Sequence, residues 1–191
     1  MSETRTRHLD ALLAGNARFS KGSAAITAAK LALGQTPFAV VLACSDSRVP
    51  VEIIFDRGPG ELFVIRNAGN IVSDESLGSI EYAVDVLRTP LIVVLGHSGC
   101  GAVAAAIERV RNGATFPGHI STLVAAIVPA AAAVRNGDGD WHARAVAANI
   151  RASVDTIVRR STIVERAVRE GGATIAGAVY DLHTCAVSLL P

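Results

Sequence analysis

Aromatic residues are scarce in this chain: five Phe, two Tyr and one Trp among 191 residues. They do not interleave with basic residues, and 18 Lys and Arg stand against 17 Asp and Glu, so the footprint of a nucleic-acid binder is missing. No apolar run reaches the roughly 20 residues that span a bilayer, which excludes a transmembrane helix. Positions 1–20 carry Arg5, Arg7 and Asp10 without an apolar signal-peptide stretch, and a cytoplasmic location is expected. Only three cysteines are present, an odd number that favours metal or catalytic use over disulfides. Gly96, Gly99 and Gly101 follow an apolar run, but their spacing is not G-x-G-x-x-G and no lysine follows, so a phosphate loop is a poor reading. Internal repeats and low-complexity tracts are lacking too.

What is present is a high mean hydropathy of +0.40 and a length suited to one core. The hydropathy owes much to alanine, yet leaves room for an apolar subunit interface. Leu12, Leu13 and Phe19 predict an amphipathic helix over His8 to Phe19. With the polar connector Lys21 to Lys30, it defines an N-terminal helical arm over residues 1–34. Residues 35–191 read as a single α/β domain. Apolar runs predict strands at Phe38–Ala43, Leu62–Arg66, Leu91–Leu95 and Thr174–Asp181, with a possible antiparallel fifth at Ala186–Leu190. Helices are expected from about Pro50 to Phe55, Ser73 to Arg88, Gly99 to Arg111 and Ile120 to Val134. Pro129 should kink or split the last of these. Trp141 to Glu170 reads as one long helix ended by Gly171-Gly172. Alternating strands and helices point to a mostly parallel central sheet of four strands, flanked by helices.

Two segments carry the chemistry: Cys44-Ser45-Asp46-Ser47-Arg48 and Gly96-His97-Ser98-Gly99-Cys100-Gly101. Each follows a buried-type strand, so both fall at strand carboxyl ends, where open α/β sheets build their sites. Two thiols and an imidazole form a donor set suited to zinc. His97 and Cys100 lie three apart across a strand-to-helix turn, a chelating spacing. Cys100 near a helix start gains thiolate character from the backbone dipole. Three protein ligands leave one position open, as in catalytic zinc sites. Asp46 could fill that position or act beside it, and Arg48 could hold its carboxylate in a bidentate pair.

These motifs resemble those of the β-class carbonic anhydrases. The likeness extends through Gly60 to Asn70, Ser79 to Val84, Gln35-Thr36-Pro37 and Tyr180 to Thr184, covering nearly the whole chain from Gln35 onward. The resemblance implies a Zn2+ ion on Cys44, His97 and Cys100, one per subunit, with Asp46 and Arg48 as a catalytic dyad. In some members the aspartate closes the metal as fourth ligand. It also implies a substrate pocket from Gln35, Phe63, Ala68, Tyr82 and Gly101, as in plant-like members, partly supplied by the partner in a homodimer or dimer of dimers. The reaction implied is reversible hydration of carbon dioxide to bicarbonate and a proton. Cys185 departs from the pattern by standing where glycine is expected in the final hairpin.

Blander readings stand beside this one. Cys44 and Cys100 could be ordinary buried cysteines, but Asp46, Arg48 and His97 alongside weigh against it. Tyr82 would by default be core and Gln35 a loop glutamine. His8, His119, His142 and His183 receive no role, and Arg66 and Asn67 are read as structural. Hydrolysis of carbonyl sulfide or carbon disulfide at the same metal is a rival activity. A thiol-sensing module is a rival of another class, and it has no need of the Asp46–Arg48 pair.

Overall fold

The computed structural model describes residues 3–19 and 34–191; the connector read at Lys21 to Lys30 lies outside them. Five strands form one sheet in the order β2-β1-β3-β4-β5. They are β1 (Ala39–Cys44), β2 (Leu62–Asn67), β3 (Leu91–His97), β4 (Thr174–Tyr180) and β5 (Val187–Leu189). The first four pair in parallel and β5 joins β4 antiparallel, as the sequence pattern anticipates. β1 and β3 are buried along their whole length, which is why they read as unbroken apolar runs rather than alternating ones.

Alternation along these strands divides the core in two. Val40, Leu42, Cys44, Ile92 and Val94 face one layer of helices. That layer comprises α3 (Asp74–Asp85), α4 (Gly101–Asn112), α5 (Ile120–Ala133), α6 (Trp141–Arg160) and α7 (Thr162–Arg169). Val41, Ala43, Leu91, Val93 and Leu95 face the opposite side, covered by Leu9 and Leu12 of α1 (Glu3–Phe19) and by Val51 and Ile54 of α2 (Val51–Ile54). Asn16 ties α1 down: its amide donates to the carbonyls of Ile54 and Cys185, and its oxygen accepts from the Val187 N–H. Among the described residues, no helix is long and apolar enough to cross a membrane.

α6 sits unusually close to the sheet. A Cβ on Gly96 would lie 2.6 Å from Ile150 Cδ1, and one on Gly177 would lie 2.7 Å from Ile150 Cγ2. Ile150 therefore occupies a slot made by two glycines on neighbouring strands.

Two expectations are corrected. The stretch Trp141 to Glu170 is two helices, because Ser161 breaks it: its backbone is extended (φ −111°, ψ 108°) and its hydroxyl caps α7 by accepting from the Val164 N–H. The same hydroxyl donates to Glu81 Oε1 at 2.6 Å, so a buried tertiary contact overrides the apolar periodicity that runs through the break. Ser161→Ala is expected to lower stability by about 1–2 kcal/mol, read by urea unfolding, and an unchanged midpoint would contradict this account of the break. Pro129 does not split α5, which runs unbroken over Ile120–Ala133 with Val124, Ile127, Ala130 and Ala131 buried on both sides of the proline. Cys185 lies at φ +55°, so the turn adopts the left-handed conformation for which glycine was expected.

Candidate metal centre

In the strand order β2-β1-β3, the chain runs outward in one direction from β1 and in the other from β3. The carboxyl ends of β1 and β3 therefore border the switch-point crevice of the sheet. Cys44 ends β1, His97 ends β3, and Cys100 is the N-cap of α4 three residues later. The donor atoms of Cys44, His97 and Cys100 lie within 4.8 Å of one another, and all three residues are buried. Donors on one tetrahedral zinc, with bonds of about 2.0–2.3 Å, stand about 3.5–3.8 Å apart, so small side-chain adjustments suffice.

The chemistry of the cluster also fits a cation. His97 Nδ1 bonds the Ser98 carbonyl at 2.9 Å, which places the proton on Nδ1 and leaves a lone pair on Nε2. That Nε2 is fully buried and has no hydrogen-bond partner among the described residues. An orphaned acceptor beside two thiols is expensive unless something electropositive sits there. Cys44 is held well below the ordinary thiol range, chiefly by hydrogen bonding from Cys100, against the opposing effect of burial. The N–H groups of Gly69 and Asp46 add to the lowering. Cys100 is pushed upward by the same shared bond and by burial. The pair thus gives up its first proton easily.

Asp46 and Arg48 stand at the rim. Arg48 Nε donates to Asp46 Oδ1 at 2.9 Å and Nη2 to Oδ2 at 2.7 Å, with the Arg48 N–H on Oδ1 at 3.0 Å. The guanidinium holds the Asp46 carboxyl far below the usual carboxylate range. Asp46 Oδ2 is 3.8 Å from His97 Nε2, beside the cluster but turned onto Arg48. Arg48 Nη2 also reaches the Gly99 carbonyl at 3.5 Å, joining the loops after β1 and β3.

The other expected site residues fall into two groups. Ala68 and Gly101 adjoin the cluster: Ala68 precedes Gly69, whose N–H donates to Cys44 Sγ at 3.3 Å, and Gly101 follows Cys100. Phe63 and Tyr82 pack together with ring centroids 6.2 Å apart, and Tyr82 remains 48% exposed. Phe63 pairs with Val40, four positions before Cys44, and four strand residues span about 13 Å. Gln35 is exposed ahead of β1. These three lie toward the opposite end of the sheet from their own chain's cluster.

Arg66, read as structural, donates across the sheet to the carbonyls of Cys44 (3.0 Å) and Asp46 (2.7 Å), fixing the Cys44 loop to β2. Two contacts escaped the sequence reading. His142, given no role, meets the Cys100 carbonyl through Nε2 at 3.0 Å. Asn149 donates to the Gly69 carbonyl at 2.9 Å. His142 and Asn149 lie on α6, remote in sequence from the motifs, and no spacing signals them.

A profile of the family described as carbonic anhydrase matches residues 39–187. The chain is 39% identical to carbonic anhydrase 2 of Mycobacterium tuberculosis over 90% of its own length and 86% of that protein's. It is 38% identical to a carbonic anhydrase of Mycolicibacterium smegmatis, covering 94% of this chain and 90% of the relative. Among solved structures, a tetrameric β-carbonic anhydrase from Sordaria macrospora superposes with a TM-score of 0.76 at 29% identity, over 85% of this chain and 84% of the other. The Coccomyxa β-carbonic anhydrase in complex with acetazolamide gives 0.75 at 28% identity, over 97% and 82%.

Proposed function

The chain belongs to the carbonic anhydrase family, in its β class, and from that premise we propose that it hydrates carbon dioxide reversibly to bicarbonate and a proton with one Zn2+ per subunit. The observation that supports this most is the convergence of Cys44, His97 and Cys100 around a buried, unpartnered imidazole nitrogen. Those three residues would hold the ion. When bound, zinc lowers the pKa of a coordinated water from about 15.7 toward about 7 and so supplies hydroxide at neutral pH.

The remaining work falls to side chains. Asp46, kept ionised by Arg48, accepts a hydrogen bond from the entering water and aims its lone pair at the substrate carbon. Ala68 gives a small apolar wall for an uncharged substrate, and Gly101 allows close backbone approach. Gln35 donates to a substrate oxygen as charge develops there, with Phe63 and Tyr82 as apolar walls. Because these three lie away from their own cluster, we assign them to the pocket of a second copy, in a homodimer or a dimer of dimers. Three free cysteines suit a reducing, cytoplasmic setting.

Metal analysis with stopped-flow hydration tests the reading. About one zinc per chain is expected, with turnover that disappears on chelation and returns with Zn2+. Zinc-free protein with undiminished turnover, or zinc-loaded protein inert toward carbon dioxide, would overturn it. Assembly is a separate test: sedimentation should show a dimer or larger, with activity falling on dilution to monomer. A fully active monomer at assay concentration would remove Gln35, Phe63 and Tyr82 from the pocket.

A further inference from the structure

We propose that Asn149 is a positioning residue for Cys44, acting through Gly69 with Ser153 as its second grip, and this rests on the reading of Cys44 as a metal ligand. α6 is an otherwise apolar helix on its inner face, burying Val146, Ile150 and Ile157. Asn149 and Ser153 are the polar exceptions, 4% and 5% exposed, and they sit one turn apart on one face. Buried polar groups on an apolar stripe are unfavourable unless they are bonded. Both are bonded to the same loop: Asn149 Nδ2 donates to the Gly69 carbonyl at 2.9 Å, and Ser153 Oγ to the Asn70 carbonyl at 3.3 Å.

That loop presents the donor to the metal-site sulfur. The Gly69 N–H points at Cys44 Sγ, 3.3 Å away. Gly69 and Asn70 are both left-handed, at φ +79° and +45°. The φ of Gly69 is one that L side chains rarely adopt, and a Cβ there would stand 2.5 Å from Ile127 Cδ1 and 3.0 Å from Ala102 Cβ, so glycine suits this loop where it meets α5 and α4. Glycine's soft dihedrals would let the peptide turn away from the sulfur. The Asn149 bond anchors the Gly69–Asn70 peptide, one of the two peptides hinged at the Gly69 Cα, and so limits the swing about that Cα that would carry the N–H of the other away from the sulfur. Asn67 closes the loop from inside, its side chain bonding both the N–H and the carbonyl of Ile71 at 2.8 Å. The seating of Ile150 over Gly96 and Gly177 sets the depth of α6 and brings the adjacent Asn149 within reach. Outer contacts of this kind orient a ligand and tune its donor strength.

The test uses Co2+ in place of the native ion, because its sulfur-to-metal charge-transfer band reports on the thiolate directly. In Asn149→Ala the band should move to longer wavelength, since a sulfur relieved of a hydrogen bond is easier to oxidise. Co2+ affinity should fall by about 10–100-fold, and exchange of the Gly69 amide should accelerate at least about tenfold. Asn149→Asp, the same shape without the donor, should match Asn149→Ala; parental behaviour there would overturn the proposal. Ile157→Val, on the same helix away from the loop, should lower thermal stability and leave the band in place; an equal band shift would mean general loosening and also overturn it. If Asn149→Ala fails to fold, Ser153→Ala must give smaller changes of the same sign, and parental values for it are equally fatal. The functional reading is judged separately on the parent: a parent lacking zinc and turnover overturns that reading, whereas a parent with both and unresponsive Asn149 variants overturns only the positioning role.

Discussion

Cys44→Ala is expected to yield a folded protein that has lost its zinc and its hydration activity. The apolar neighbours of Cys44, including Val40 and Leu42 on the same strand face, are buried and remain intact, so the sheet tolerates the exchange. The metal does not. Zinc sites with four protein ligands bind with roughly 10–16 kcal/mol, a share of about 2.5–4 kcal/mol per ligand, so losing one weakens binding on the order of 10²–10³-fold. Asp46 cannot substitute cheaply, because leaving Arg48 breaks two side-chain bonds, of 2.9 and 2.7 Å. His97→Ala and Cys100→Ala should behave alike. Cys185→Ser is the internal control. Cys185 belongs to the opposite face of the sheet, where it packs near Tyr180 and where burial first, then hydrogen bonding with Cys185, raises the Tyr180 hydroxyl to about 12. Its replacement should leave zinc and turnover unchanged. Near-stoichiometric zinc with normal activity in Cys44→Ala would sink the ligand assignment, and zinc loss in Cys185→Ser would misplace the third thiol.

The central strands and the meeting of Cys44, His97 and Cys100 were legible because each is a local signal. β1 and β3 are buried on both faces and therefore spell continuous apolar runs, and the residues after a parallel strand have one place to go. The break at Ser161 was not legible, since Ile157, Val158 and Val164 continue the helical period across it. What decides the break is Glu81, eighty positions away in sequence. Asn149 and His142 were hidden for the same reason: a polar residue on a helix face acquires meaning only from what the helix rests upon. The residues proposed for the pocket illustrate a third case. Resemblance named Gln35, Phe63 and Tyr82, yet strand register sets Phe63 four positions from Cys44 in the wrong direction, a separation that invites a neighbouring subunit.

Arg48→Ala and Asp46→Asn are expected to separate the two halves of the rim pair. Arg48 is the only side chain that donates to Asp46 in the structure among the described residues, and it does so with two nitrogens. Arg48→Ala leaves an ionised carboxylate whose nearest cation-binding place is the cluster itself, beside His97. Asp46 should then swing onto the metal and close the position that water needs, giving full zinc occupancy with activity lower by about 10–100-fold. Asp46→Asn is different in kind. It cannot close the site as a charged ligand, so the position stays open, but the amide has lost the negative charge that aims the entering water; zinc should again be retained and activity fall by a similar factor. The double variant distinguishes the mechanisms. If Arg48→Ala is harmful because it liberates Asp46, then adding Asp46→Asn should make the protein no worse than Asp46→Asn alone, and the two losses should not multiply. X-ray absorption would show the difference at the metal, with the carbon of a bound carboxylate behind the fourth-ligand oxygen in Arg48→Ala and none in the double variant, where that oxygen belongs to water. Independent, multiplying losses with unchanged coordination would mean that Arg48 acts on the substrate rather than as the keeper of Asp46.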